Sequence, residues 1–146
     1  MRAVLVSCLM AGIAVAAPPP ASKGDEGARQ AAASFGRALT TGSASSLRTI
    51  LPQKGKVRLT LALLGPEDGA FAAAQVEALF RDFLAAGKVH SFVVTRYESD
   101  GRTGALAYAK ASIVDRDGQR AQIGIQLWLE PEGDRWVLRE VKESAG

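Results

Sequence analysis

The sequence predicts an α+β domain, with N-terminal helices packed on a curved, mostly antiparallel sheet that ends in a four-stranded meander. Three observations carry this cone-like architecture. Val57, Leu59, Leu61 and Leu63 alternate with Arg58, Thr60 and Ala62, the two-residue period of a half-buried strand. Val76, Leu79, Phe80, Phe83 and Leu84 then form the stripe of an amphipathic helix that Gly87 closes. From Val89 to Lys142, four apolar-rich runs are separated by Asp100-Gly101, Asp117-Gly118 and Pro131-Glu132-Gly133-Asp134, which are hairpin signals.

The helices ahead of this run follow from spacing. Ala28, Ala32, Phe35 and Leu39 fall on one helical face, starting from Asp25, and Gly42 suits the stop. Ser43 is placed as the N-cap of a second short helix carrying Leu47, Ile50 and Leu51, which Pro52 ends.

The first 16 residues read as an export signal. Met1-Arg2 is a basic start, Ala3 to Val15 carries no charge, and Ala14-Val15-Ala16 is the small-x-small pattern of a cleavage site before Ala17. The apolar run is shorter than the ~20 residues of a membrane-spanning helix, and Pro18-Pro19-Pro20 follows it. Leu5-Val6-Ser7-Cys8 resembles a lipobox, yet cleavage there would strand the greasy Leu9 to Val15 on the product, so Cys8 is read as part of the signal. Residues 17–24, rich in proline, alanine and serine, read as a disordered tether, and 25–146 as one domain. The expected destination is the periplasm or the medium, with no membrane attachment after cleavage.

Composition then excludes several chemistries. Loss of residues 1–16 removes one of 18 basic side chains and none of the 15 acidic ones, leaving the remainder nearly balanced. The densest basic cluster, Lys54-Gly55-Lys56-Val57-Arg58, is interrupted, so nucleic acid is not an expected partner. The only cysteine leaves with the signal, so the exported chain has neither disulfide nor thiolate nucleophile. With one histidine, no calcium-loop spacing and no glycine-rich phosphate loop between a strand and a helix, no metal and no cofactor is expected.

Two-residue turns at the first two hairpins would set Val93 opposite Tyr108, Tyr108 opposite Leu127, and Leu127 near Val137. One face then holds Val93, Tyr97, Leu106, Tyr108, Ile123, Ile125, Leu127, Val137 and Val141, expected under the helices. The other is mixed, with His90, Phe92, Val94, Ala105, Ala107, Ala109, Gln122, Gln126, Trp128, Trp136, Leu138 and Glu140. Trp128 beside Trp136 reads either as a cross-strand aromatic pair or as part of a dimer or partner surface.

The order of elements resembles the NTF2-like superfamily, in particular one of its uncharacterised exported bacterial families. The residues carrying the likeness are Val57-Arg58-Leu59-Thr60-Leu61, Gln75 to Phe83, Ser91-Phe92-Val93-Val94, Ala107-Tyr108-Ala109 and Trp136 to Val141. The resemblance implies a cone-shaped fold that is often dimeric, and it implies no reaction. Enzymes similar in fold place a histidine or carboxylate inside the cone as a general base. His90 and Glu140 are the strand-borne residues here that can be weighed for that role, because the aspartates fall in turns or off the helix stripe. Tyr97 and Tyr108 are candidates to orient a ligand by their hydroxyls. The expectation is therefore an exported, non-catalytic binding or interaction module. Its candidate binding residues are Tyr97, Tyr108, Trp128, Trp136, His90 and Glu140, and its candidate partners a small apolar ligand or a second copy across the sheet face. The alternative is a small-molecule enzyme using His90 or Glu140 as acid or base in the cone cavity.

Overall fold

A computed structural model describes residues 23–64 and 68–144; the expected signal, and the tether up to residue 22, lie outside the described residues. Helix α1 spans Lys23–Thr41, beginning two residues ahead of Asp25. Its stripe of Ala28, Ala32, Phe35 and Leu39 is buried. Gly42, at φ 72°, ends it with a paired backbone cap: Gly42 N–H donates to Leu39 O (3.2 Å) and Ser43 N–H to Ala38 O (2.9 Å). The expected second helix is a 3-10 turn, Ala44–Thr49, and the Ser43 side chain makes no capping hydrogen bond to it. Leu47, Ile50 and Leu51 are nonetheless buried.

Strand β1 is shorter than its alternation suggests, covering Val57–Thr60, after which Ala62–Leu64 turn as a 3-10 helix. A three-residue strand, β2 (Gly69–Phe71), pairs antiparallel with β1 and is too short to leave a periodic signal. Helix α2 spans Ala73–Ala86, with Val76, Phe80 and Phe83 buried and Leu79 and Leu84 half-buried. Gln75 Oε1 accepts from the Ala72 N–H at 3.0 Å, satisfying a backbone donor at the start of the helix.

The meander follows as β3 (Lys88–Ser99), β4 (Ala105–Val114), β5 (Arg120–Glu132) and β6 (Arg135–Ser144). The sheet order is β2-β1-β6-β5-β4-β3, antiparallel throughout except where β1 runs parallel to β6. This is the expected α+β cone, with α1 and α2 on one side of a mixed, mostly antiparallel sheet.

The register differs from expectation. The first two hairpin loops each hold five residues, since Ser99 pairs with Ala105 and Val114 with Arg120. Asp100 Oδ1 gathers the N–H groups of Arg102 and Thr103, both at 2.8 Å, and Asp115 Oδ1 those of Asp117 and Gln119, both at 2.9 Å. Each aspartate thus organises a longer loop than a two-residue turn. The two-residue turn is Gly133-Asp134.

Consequently Tyr108 pairs with Arg96 and Gln126, Val93 with Lys110, and Leu127 with Ala107 and Val141. On β4 the faces are exchanged: Ala105, Ala107, Ala109, Ala111 and Ile113 point to the helices, while Leu106 and Tyr108 point away. Phe92 and Leu138 also join the core, contrary to the mixed-face assignment. Val93 lies outside it. Ile123, Ile125, Leu127 and Val141 face the helices as expected.

Candidate functional site

The interior of the cone is filled. Phe35 stands at its centre, edge-on to Phe80 (5.7 Å between ring centroids) and to Phe92 (5.5 Å). The residual void among Phe35, Leu39, Leu61, Phe80, Ala111 and Ile125 is about 10 Å³ and wholly hydrocarbon-lined. That is at the threshold for one water molecule, and an apolar lining gives such a water no partner.

Neither acid–base candidate lines this interior. His90 is exposed on β3, beside the irregularity between Val89 and Ser91. Glu140 sits on the sheet's outer face, 3.8 Å from the guanidinium of Arg58. Strands β4 and β5 lie between the two. The alternative that set His90 or Glu140 to work in the cone cavity is therefore corrected: neither residue lines it.

Two other candidates serve the helix-covered side. Tyr97 Oη donates to Asp25 O at 3.3 Å, and Arg29 lies over the ring at 4.3 Å. Burial pushes the Tyr97 hydroxyl above its ordinary pKa. Trp136 lies under α1 so closely that a Cβ on Gly27 would come within 2.8 Å of its ring. Both rings fasten the first turns of α1 to the sheet. Trp128 and Trp136 thus do not form a cross-strand pair, the first of the two readings: Trp136 pairs with Pro131 and Trp128 with Glu140, on opposite faces.

The outer face brings the remaining candidates together. One row across the strands reads Glu98, Leu106, Trp128, Glu140, Arg58; the next reads Arg96, Tyr108, Gln126, Lys142, Thr60. In the first, Glu98 and Glu140 stand either side of Leu106 and Trp128, with Arg58 beyond; in the second, Arg96 and Lys142 stand either side of Tyr108 and Gln126, with Thr60 beyond. Trp128 Nε1 donates to Glu130 Oε1 at 2.9 Å, and its ring covers Gly104, where a Cβ would clash. Arg96 lies over the Tyr108 ring at 4.1 Å, with its Nε 3.3 Å from Glu98. Beside this second row, Thr95, Arg96, Tyr108, Lys110, Gly124 and Ser144 surround a hollow of about 270 Å³. Arg96, Lys110 and Gly124 were not singled out from sequence. Lys110 and Ser112 share the parity of Leu106 and Tyr108, and that polar pair was the available signal for an outward face.

The other well-held carboxylates are tethers. Glu77 accepts from Arg48 Nε (2.8 Å) and Nη2 (2.9 Å) and from Arg81 Nη2 (2.5 Å), which joins the 3-10 turn to α2. The Arg48 hydrogen bonds hold its pKa below the usual carboxylate range. Glu132 accepts from the Gln53 N–H (2.9 Å) and from Arg135 (3.2 Å), clamping the β5–β6 turn to the segment before β1. Its pKa is lowered, first by the Gln53 N–H. Among the described residues no cluster of histidine, cysteine, aspartate or glutamate could hold a metal ion, and no helix is long and apolar enough to cross a membrane.

Solved structures reproduce this architecture. A proposed dehydratase of the NTF2-like family from Streptomyces avermitilis matches with a TM-score of 0.65 at 17% identity, over 83% of this chain and 94% of its own. An NTF2-like protein of unknown function from Shewanella oneidensis matches with a TM-score of 0.62 at 14% identity, over 82% and 98%. A DUF4783 family protein from Bacteroides uniformis matches with a TM-score of 0.61 at 14% identity, over 78% and 95%. No protein-family model and no curated protein matches the sequence. At these identities the likeness is one of fold, and the chain has the NTF2-like fold.

Proposed function

We propose that the protein is an exported, non-catalytic interaction module that works through the outer face of its sheet, with a second copy of the chain as the occupant. The closed interior carries this reading: a void of about 10 Å³ admits no substrate, and acid–base catalysis needs a group within hydrogen-bond reach of one. The dehydratase description of the Streptomyces protein applies to that protein, and neither His90 nor Glu140 of this chain lines the interior of the cone.

The choice of occupant is supported by the two rows. A two-fold axis above the outer face, parallel to the sheet, perpendicular to the strands and midway between the rows, sets Arg96 against the partner's Glu98 and Lys142 against the partner's Glu140. Tyr108 then meets the partner's Leu106. Such an isologous contact is complementary in charge and apolar at its centre, and sheets stack face to face with aligned strands. Export rests on the Ala14-Val15-Ala16 pattern.

Sedimentation equilibrium of the protein should give a monomer–dimer equilibrium. Arg96→Glu should shift it to monomer, and the double reversal Arg96→Glu with Glu98→Arg should restore it. A monodisperse monomer at high concentration, or single and double variants that behave alike, would overturn the reading. For export, mass spectrometry of protein recovered outside the cytoplasm should find a chain beginning at Ala17.

A further inference from the structure

The hollow beside Tyr108 has the chemistry of an anion site. Its floor is Gly124, paired with Lys110 on one side and Ser144 on the other. A Cβ there would lie 2.3 Å from Ser144 Oγ and 3.0 Å from Ser144 O, so the close approach of the two strands keeps the position free of a side chain and leaves the hollow open. Its volume of about 270 Å³ holds a tetrahedral oxyanion with a small group attached.

Its rim is cationic, and no carboxylate lines it. Arg96 is held flat by the Tyr108 ring at 4.1 Å; its Nε faces Glu98, which leaves the terminal nitrogens to donate as a fork. Among the described residues every ion pair within 4.0 Å uses an arginine, so the charges of Lys110 and of nearby Lys142 are uncompensated. The Thr95 hydroxyl already donates to Tyr108 O at 3.3 Å, and Ser144 Oγ and the Tyr108 phenol are the hydroxyls left to serve a ligand.

We infer that this hollow binds a small oxyanion, a phosphate or sulfate group either free or as an ester. Arg96 would grip two of its oxygens, Lys110 would supply charge and Ser144 a neutral hydrogen bond. Because these groups are solvent-exposed, the dissociation constant for the bare anion should be on the order of a millimolar. The site shares Arg96 with the proposed self-association but does not rest on it, so it is tested on protein dilute enough to be monomeric.

The experiment is a proton–nitrogen NMR titration with inorganic phosphate and with sulfate, ionic strength being held constant with chloride. The amides of Lys110, Gly124 and Ser144 should shift saturably. Binding should weaken about threefold to fivefold in Lys110→Gln and in Arg96→Gln and stay unchanged in Lys56→Gln, at an exposed cation before β1. Shifts that fail to saturate, or equal weakening by Lys56→Gln, overturn the proposal by reducing it to diffuse screening. Phenyl phosphate separates the sources: tighter binding than inorganic phosphate assigns the hollow to an ester, and equal binding to the free anion.

Discussion

The two faces of one sheet are built on opposite rules. On the helix-covered face β4 contributes Ala105, Ala107, Ala109 and Ala111, each almost fully buried. On the outer face the same strand contributes Leu106, Tyr108, Lys110 and Ser112. Bulk on the inner side comes from elsewhere: Phe35 from α1, Phe80 from α2 and Phe92 from β3. Small residues under a helix let it approach the sheet, and the gap is filled from the helix side. Size is therefore a poor guide to which side of a strand is covered when the covering element brings its own rings.

The sharpest way to break this comparison is to remove the ring the alanines accommodate. Phe35 is fully buried between two other rings, and Phe35→Ala should cost about 3–5 kcal/mol in urea denaturation. A loss below about 1 kcal/mol would mean that the interior is not packed as described.

Filling the other side of the same gap tests it with a smaller effect. Ala107→Leu should destabilise by about 1–3 kcal/mol, because Ala107 is fully buried in the core and the added carbons have no room there. Its neighbour Leu106→Ala, which removes the same number of carbons from the outer face, should cost less than about 1 kcal/mol. If the two effects came out in the reverse order, β4 would be facing the way its large residues suggested.

Much of the fold was legible in sequence because it rests on periodicity. The Ala28, Ala32, Phe35, Leu39 stripe and the Val76, Phe80, Phe83 stripe both lie where their spacing puts them. The faces were less legible because they depend on loop length. Asp100-Gly101 and Asp117-Gly118 look like two-residue turns, but Asp100 in the first loop and Asp115 in the second collect backbone N–H groups further along the chain, and each so holds a five-residue loop. Between β4 and β5 the difference is one residue of register, enough to turn Tyr108 from core to surface. Of the six candidate site residues, Tyr108, Trp128 and Glu140 share the outer face, Tyr97 and Trp136 anchor α1, and His90 is exposed near the start of β3. The hollow itself depends on Gly124 meeting Ser144 and on Arg96 meeting Tyr108, cross-strand meetings that no local pattern encodes.

The smallest expected effect concerns charge, and it asks whether polar groups outside the sheet faces also hold the body together. Glu77 is the buried charged residue among those described, and Arg48 and Arg81 hold its folded pKa below the ordinary value of 4.5. A carboxylate with a lowered folded pKa contributes stability that is fully present above its unfolded value and lost as pH falls through the folded one. Urea midpoints of the parent protein should therefore drop as pH is lowered below about 4.5, and in Glu77→Gln the drop should be shallower while stability at neutral pH is reduced. Exposure of Arg48 to solvent and its screening by salt keep both differences modest. Identical acid limbs for the two proteins would show that the 3-10 turn is held to α2 by Leu47 and its apolar neighbours alone, leaving shape rather than charge to hold every layer of the cone.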